Sequence, residues 1–140
     1  MVDINVLTEK LKALERHLER VRLRAKPTAK ELAADEDSLD LVSFHLMLAV
    51  QTCLDIANHL IADHGWHPPA KLAESFERLG EHGILSTSTV ALMARAGGLR
   101  NVVAHAYGKV DVEKVHAAAT SGLKDLERFA QEIATWLAAR

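Results

Sequence analysis

Apolar residues return every three or four positions along most of this chain, and that spacing limits its fold more than any other feature. Ile4, Leu7, Leu11, Leu14, Leu18 and Val21 form one stripe, and Leu39, Val42, Leu46, Val50, Cys53, Ala57 and Leu60 form a second. Val112, Val115, Ala119, Leu123, Leu126, Ala130, Ile133 and Leu137 form a third, with Trp136 beside it. Steps of three and four place such residues on one side of an α-helix. A chain with three such faces must bury them against one another, and the economical solution is a helical bundle.

Local signals set the boundaries. The first helix is expected from Asp3 to Arg24, closed by Pro27, which cannot occupy a helix interior. Its narrow seam suits packing inside the bundle or against a second protomer. The second is expected from about Asp37, in an acidic cluster suited to a helix start, to Ala62, with Gly65 ending it. A short third helix takes Pro69 as its first residue, turns Leu72, Phe76 and Leu79 inward and ends at Gly80. Ser86-Thr87-Ser88 offers caps for a fourth, running through Leu92, Ala96, Leu99 and Val103 towards Gly108, and Asp111 caps a fifth. The expectation is an all-α, antiparallel bundle of about five helices in a single domain, residues 1–140.

Apolar residues make up 49% of the chain and aromatics only 4%, so the core must be aliphatic. The net charge of -2 gives no global argument for nucleic acid. Locally, Lys10, Lys12, Arg16, Arg20, Arg22, Arg24, Lys26 and Lys30 face only Glu15 and Glu19 in their segment, a basic stretch suited to a solvated face or a polyanion. Cys53 is the lone cysteine, so neither a disulfide framework nor a thiolate metal cluster is expected. His64 and His67 share a loop but fall short of the three or four convergent ligands of a zinc site. No metal or cofactor is expected. With no signal-peptide pattern and no apolar run of membrane-spanning length, the chain reads as cytoplasmic, without a membrane partner.

One segment is not explained by packing. Arg100, Asn101, His105 and Tyr107 place a guanidinium, a carboxamide, an imidazole and a phenol within eight residues, just after Gly97-Gly98. On a helical wheel with Arg100 at zero, Leu92, Leu99, Val102, Val103 and Ala106 fall between about 200° and 300° and form the expected core stripe. Asn101 falls near 100°, His105 near 140° and Tyr107 near -20°, away from that stripe. Asn101 and His105 are an i,i+4 pair, whereas Arg100 and His105 are not close in angle. Gly97, Gly98 and Ala94 share the polar arc. Each glycine costs the helix roughly 1 kcal/mol relative to alanine, which suits either close approach by a phosphate backbone or by the same helix of a partner subunit, the favoured reading, or a helix break at Gly97-Gly98 with a separate turn after it.

These groups suit metal-free phosphodiester cleavage. A histidine can take a proton from a ribose 2′-hydroxyl or give one to the leaving 5′-oxygen. An arginine can grip the phosphate in two places and stabilise charge in the transition state. Asn101 can orient His105 or bind a phosphate oxygen, and Tyr107 can donate to phosphate or be modified. One histidine is few for two proton transfers, and a dimer with two facing motifs supplies a second.

Arg100-Asn101-x3-His105-x-Tyr107, with Ala96-Gly97-Gly98-Leu99 before it and Val110-Asp111 after it, resembles the signature of HepT-like toxins of the HEPN superfamily. Cys53-Leu54-Asp55-Ile56-Ala57-Asn58-His59-Leu60-Ile61 and Pro68-Pro69 fit the same pattern, which covers nearly the whole chain. Leu99 stands where relatives often carry an aromatic. The resemblance implies a homodimeric helical bundle with its motif in a cleft at or near the dimer interface. It implies a metal-independent ribonuclease toxin of a type II/VII-like toxin–antitoxin pair, acting on RNA. The implied partner is a nucleotidyltransferase antitoxin that transfers AMP from ATP to the motif tyrosine and can join a larger hetero-oligomer. Carried over by position, Arg100 and His105 are the catalytic pair, Asn101 supports them and Tyr107 is modified. Some proteins of the superfamily are instead non-catalytic modules that bind a nucleotidyltransferase or nucleotide.

Overall fold

A computed structural model describes residues 2–104 and 110–140, without the side chains of 101–104. The described residues contain seven α-helices and no strand: α1 Ile4–Arg24, α2 Ala29–Ala34, α3 Glu36–His64, α4 Leu72–Glu81, α5 Thr87–Ala104, α6 Val112–Ala119 and α7 Leu123–Ala138. The bundle expectation holds. The helix count rises from five to seven for two local reasons.

The first addition is α2. At six residues it is too short to show periodicity, yet Thr28 caps it by accepting the Glu31 N–H at 3.1 Å, and Leu32 is fully buried. The second is a break in the expected fifth helix, which becomes α6 and α7. The Thr120 hydroxyl donates to the His116 carbonyl at 2.8 Å, the Ser121 hydroxyl to the Ala117 carbonyl at 3.3 Å, and the Gly122 N–H to the same Ala117 carbonyl at 2.9 Å. Side-chain hydroxyls that compete for helix carbonyls disfavour continuation. α4 also starts later than expected: Lys71 is its N-cap, and Pro69 lies outside it.

The remaining caps follow the chemistry of their residues. Asp3 accepts from Val6, Asp35 from Ser38 and Asp111 from Lys114, so α3 begins slightly before the expected Asp37. Each such cap is worth about 1 kcal/mol. Gly65 ends α3 in the left-handed region at φ 68°, a conformation that costs glycine little.

α3 is the central element. Val42, Leu46, Val50, Cys53, Ala57 and Leu60 are all fully buried on it, and it packs against all six of the other described helices. Contrary to expectation, α3 is long and apolar enough to cross a membrane by length and composition. Its buried face accounts for part of that apolarity. Burial in this core pushes the Cys53 thiol well above its ordinary pKa, which makes it a packing group rather than a nucleophile. Phe76 of α4 and Phe129 of α7, both fully buried, meet edge to face at 5.8 Å.

Candidate functional site

α5 carries Arg100 and Asn101, the first two motif residues, and its first turn is anchored. Ser86 accepts the Thr89 N–H at 3.3 Å, as expected of an N-cap. Glu132 of α7 then takes the Ser86 N–H at 2.6 Å and the Ser86 hydroxyl at 3.2 Å, and the buried Thr89 hydroxyl also donates to it. Burial works against the Glu132 charge, but these donors outweigh it and hold its carboxyl below the usual range. A carboxylate at a helix N-terminus also opposes the positive end of the helix dipole. The start of α5 is therefore fixed to α7, and Arg100 and Asn101 lie at its other end.

The inward face of α5 differs from the expected one. Thr89 and Met93 are fully buried and Gly97 is buried, so the buried line runs Thr89–Met93–Gly97. Leu92 and Leu99 are only half-buried. The helix is rotated by roughly a third of a revolution from the expected placement. Small and apolar residues occur all round α5, so what its neighbours present decides which side goes in. α4 presents Leu72, and a methyl added at Gly97 would overlap the Leu72 Cδ2.

The two glycines therefore separate. Gly97 allows close approach, but by Leu72 of its own chain rather than by a phosphate or a partner helix, which corrects the expectation. Gly98 is exposed, with no atom within 4 Å of where a Cβ would stand. Ala94, also exposed, shares its outward side.

Arg100 is half-buried on the last described turns of α5. Asn101 lies on the same helix, but its side chain is outside the described residues, as are His105 and Tyr107. The expected Val102, Val103 and Ala106 contacts lie outside them too.

Spacing alone missed a groove beside the motif helix. It has a volume of about 670 Å³ and lies between α5, α6 and α7, with the buried Val50 of α3 at its floor. Leu92 and Leu99, expected in the core, form one wall, and Ala117 and Ala118 of α6 form another. Arg95 and Lys114 are exposed at its edge, Asp125 is half-buried in it, and Gly98 joins it to the open side of α5. The signal was present in the sequence as Arg95, a cation between two leucines of one supposed core stripe.

His64 and His82 have structural surroundings. The His64 Nδ1 lies 2.8 Å from the Leu60 carbonyl, and its ring stacks on Trp66 at 4.3 Å. His82 covers the other face of Trp66 at 3.6 Å.

A family profile described as ribonuclease HepT-like matches residues 5–133. The chain belongs to the HepT-like ribonuclease family. It is 22% identical over 125 residues to the mRNA nuclease HepT of Shewanella oneidensis, covering 89% of this chain and 93% of that one. It is 27% identical over 92 residues to the tRNA nuclease HepT of Aphanizomenon flos-aquae, covering 66% and 63%. Among solved structures, the tri-AMPylated Shewanella oneidensis HEPN toxin in complex with MNT antitoxin superposes with a TM-score of 0.83 at 23% identity, covering 96% of this chain and 99% of that one. The HEPN bundle is thus the fold of this chain.

Proposed function

We propose that this chain is a metal-independent ribonuclease toxin, working in the cytoplasm as one domain spanning residues 1–140 and neutralised by a nucleotidyltransferase antitoxin. The observation that carries this reading is the family match across residues 5–133 together with an unbroken Arg100-Asn101-x3-His105-x-Tyr107 motif. His105 takes the proton of a ribose 2′-hydroxyl, the 2′-oxygen bonds to phosphorus, and the bond from phosphorus to the 5′-oxygen breaks. The products are a 2′,3′-cyclic phosphate and a 5′-hydroxyl, whose proton comes from the second copy's histidine. Arg100 stabilises the phosphorane charge and Asn101 orients the imidazole.

A homodimer supplies that second histidine. α3 supports it: fewer than half of the residues in its most apolar window are buried in the protomer, and Phe44 is 51% exposed on its outer side. The antitoxin silences the site by bonding the α-phosphorus of ATP to the Tyr107 oxygen, releasing pyrophosphate and the phenol proton. The added anion competes with RNA for Arg100.

The test uses unmodified protein on RNA in EDTA. Cleavage to cyclic-phosphate ends that falls by about 10²–10⁴-fold in His105→Ala is the expected result. Co-expression with the antitoxin should add AMP mass, and Tyr107→Phe should remove it. A wild-type protein that binds the antitoxin, arrests no cells and loses nothing with His105→Ala is a non-catalytic binding module instead.

A further inference from the structure

We infer that the groove between α5, α6 and α7 is a guanine-recognising subsite for the RNA nucleotide beside the scissile phosphate. This rests on the ribonuclease reading above and adds a substrate preference to it.

Position is the first argument. Gly98 lines the groove and lies two residues before Arg100 and three before Asn101 on the same helix. The missing side chain leaves its outer surface open, and less than one helical turn along the axis separates Gly98 from Arg100. At about 670 Å³ the groove falls within the roughly 300–1,000 Å³ of small-molecule sites.

The chemistry of the walls selects the occupant. Leu92 and Leu99 lie two helical turns apart on one side of α5 and present an aliphatic strip to a flat ring. Unstacked bases are held in this way, between apolar surfaces with their edges read by hydrogen bonds. Arg95 and Lys114, from facing helices, place cations at the edge, where the backbone phosphates of a single strand would run. Asp125 points the other way in charge. A half-buried carboxylate repels a phosphate placed inside but accepts hydrogen bonds at both oxygens. Guanine alone among the four bases offers two adjacent donors, N1–H and the N2 amino group, on its Watson–Crick edge. Adenine and cytosine offer one amino group there, and uracil one ring N–H. The combination of exposed cations, aliphatic wall and half-buried carboxylate therefore matches a guanosine nucleotide entering base first.

The test uses the full-length, unmodified chain and the four ribonucleoside monophosphates as probes, with binding measured by calorimetry. GMP should bind at least tenfold more tightly than AMP, CMP or UMP. Asp125→Asn should remove that preference, and Ala117→Trp, at an exposed position on the groove wall, should weaken GMP at least tenfold. On RNAs differing at one nucleotide beside the cut, cleavage next to guanine should be at least tenfold faster, and Asp125→Asn should level the four. Equal binding of all four nucleotides overturns the proposal, as does Ala117→Trp with wild-type GMP affinity. A change in oligomeric mass on Ala117→Trp also overturns it, since the groove is then an interface between copies. Cleavage without base preference, unaffected by either variant, sinks the subsite and leaves the ribonuclease. GMP selectivity with no RNA cleaved sinks the ribonuclease and keeps the base site.

Discussion

α1 and α5 both carry apolar residues at steps of three and four, but only α1 buries most of the stripe that this spacing marks, with Ile4 at its start staying exposed. On α1 the outer positions carry Glu9, Lys12, Glu15, Arg16, Glu19 and Arg20, all exposed, so Leu7, Leu14, Leu18 and Val21 have one available direction and are fully buried. On α5 the outer positions carry Ser88, Ala91, Ala94 and Gly98, which water tolerates and the core would also accept, and a single charge, Arg95. Burial there is decided by shape, through Leu72 against Gly97, and by one polar anchor, Glu132. The leucines are left to line a groove. Periodicity locates a buried face when the opposite face is charged. It loses that power where both faces are small, and here that is the helix bearing the motif.

The largest expected effect tests this contrast directly. Leu14→Ala should cost about 2–5 kcal/mol, the range for emptying a fully buried leucine site. Leu92→Ala removes a half-buried wall residue and should cost about 1 kcal/mol, because part of that surface is already wet. Urea denaturation of both variants reads the difference. Equal losses would put Leu92 in the core and restore the face that spacing suggests.

The paired glycines sharpen the contrast on α5 itself. Gly97→Val forces a branched side chain onto Leu72 and should cost about 1–3 kcal/mol by overpacking. Gly98→Ala meets open space and should gain up to about 1 kcal/mol from helix propensity. Two neighbours that shift Tm in the same direction would contradict the inward line Thr89–Met93–Gly97.

Glu132 comes next in size. Glu132→Gln keeps the shape and loses the charge at the start of α5, at a cost of about 1–2 kcal/mol. Its folded pKa is depressed, so its contribution is present above the ordinary glutamate range and fades as pH falls through it. Wild type and Glu132→Gln should therefore converge in Tm on acidification below about pH 4. A constant gap would mean that the carboxylate is not what anchors α5.

The sequence was legible wherever one physical signal dominated. Asp3, Asp111 and Gly65 delimit their helices as their chemistry requires, and the bundle followed from three stripes. The α6–α7 break was legible only in hindsight, because the stripe Val115–Ala119–Leu123–Leu126 continues across it while Thr120 and Ser121 cap carbonyls beneath it. For the motif, residue types stated the chemistry but not the surroundings. Nothing in Gly97-Gly98 says which glycine faces Leu72, because that depends on a helix more than twenty residues away. The groove was hidden for the same reason, since Arg95, Lys114 and Asp125 meet only after α5, α6 and α7 pack.

The smallest expected effect belongs to the well-read side of the molecule, the α1–α3 seam. His17 and His45 face each other there with Nδ1 atoms 3.0 Å apart and rings tilted at 38°, and Phe44 meets His45 edge on. Only one of two such nitrogens can carry the shared proton, so the seam tolerates one neutral tautomer pair and opposes a second charge. Partial burial lowers both pKa values, helped at His17 by His45 and Arg16 and at His45 by Arg20. A depressed folded pKa means that unfolding takes up protons, so stability is retained above the ordinary histidine range and lost as pH falls through and below it. Both rings are partly exposed, which limits the loss to under about 1 kcal/mol. Urea midpoints at pH 7.5 and 5.5 should fall more in wild type than in His17→Gln, whose amide has no charge to gain. A variant that falls as far as wild type would place the acid sensitivity elsewhere than the α1–α3 seam.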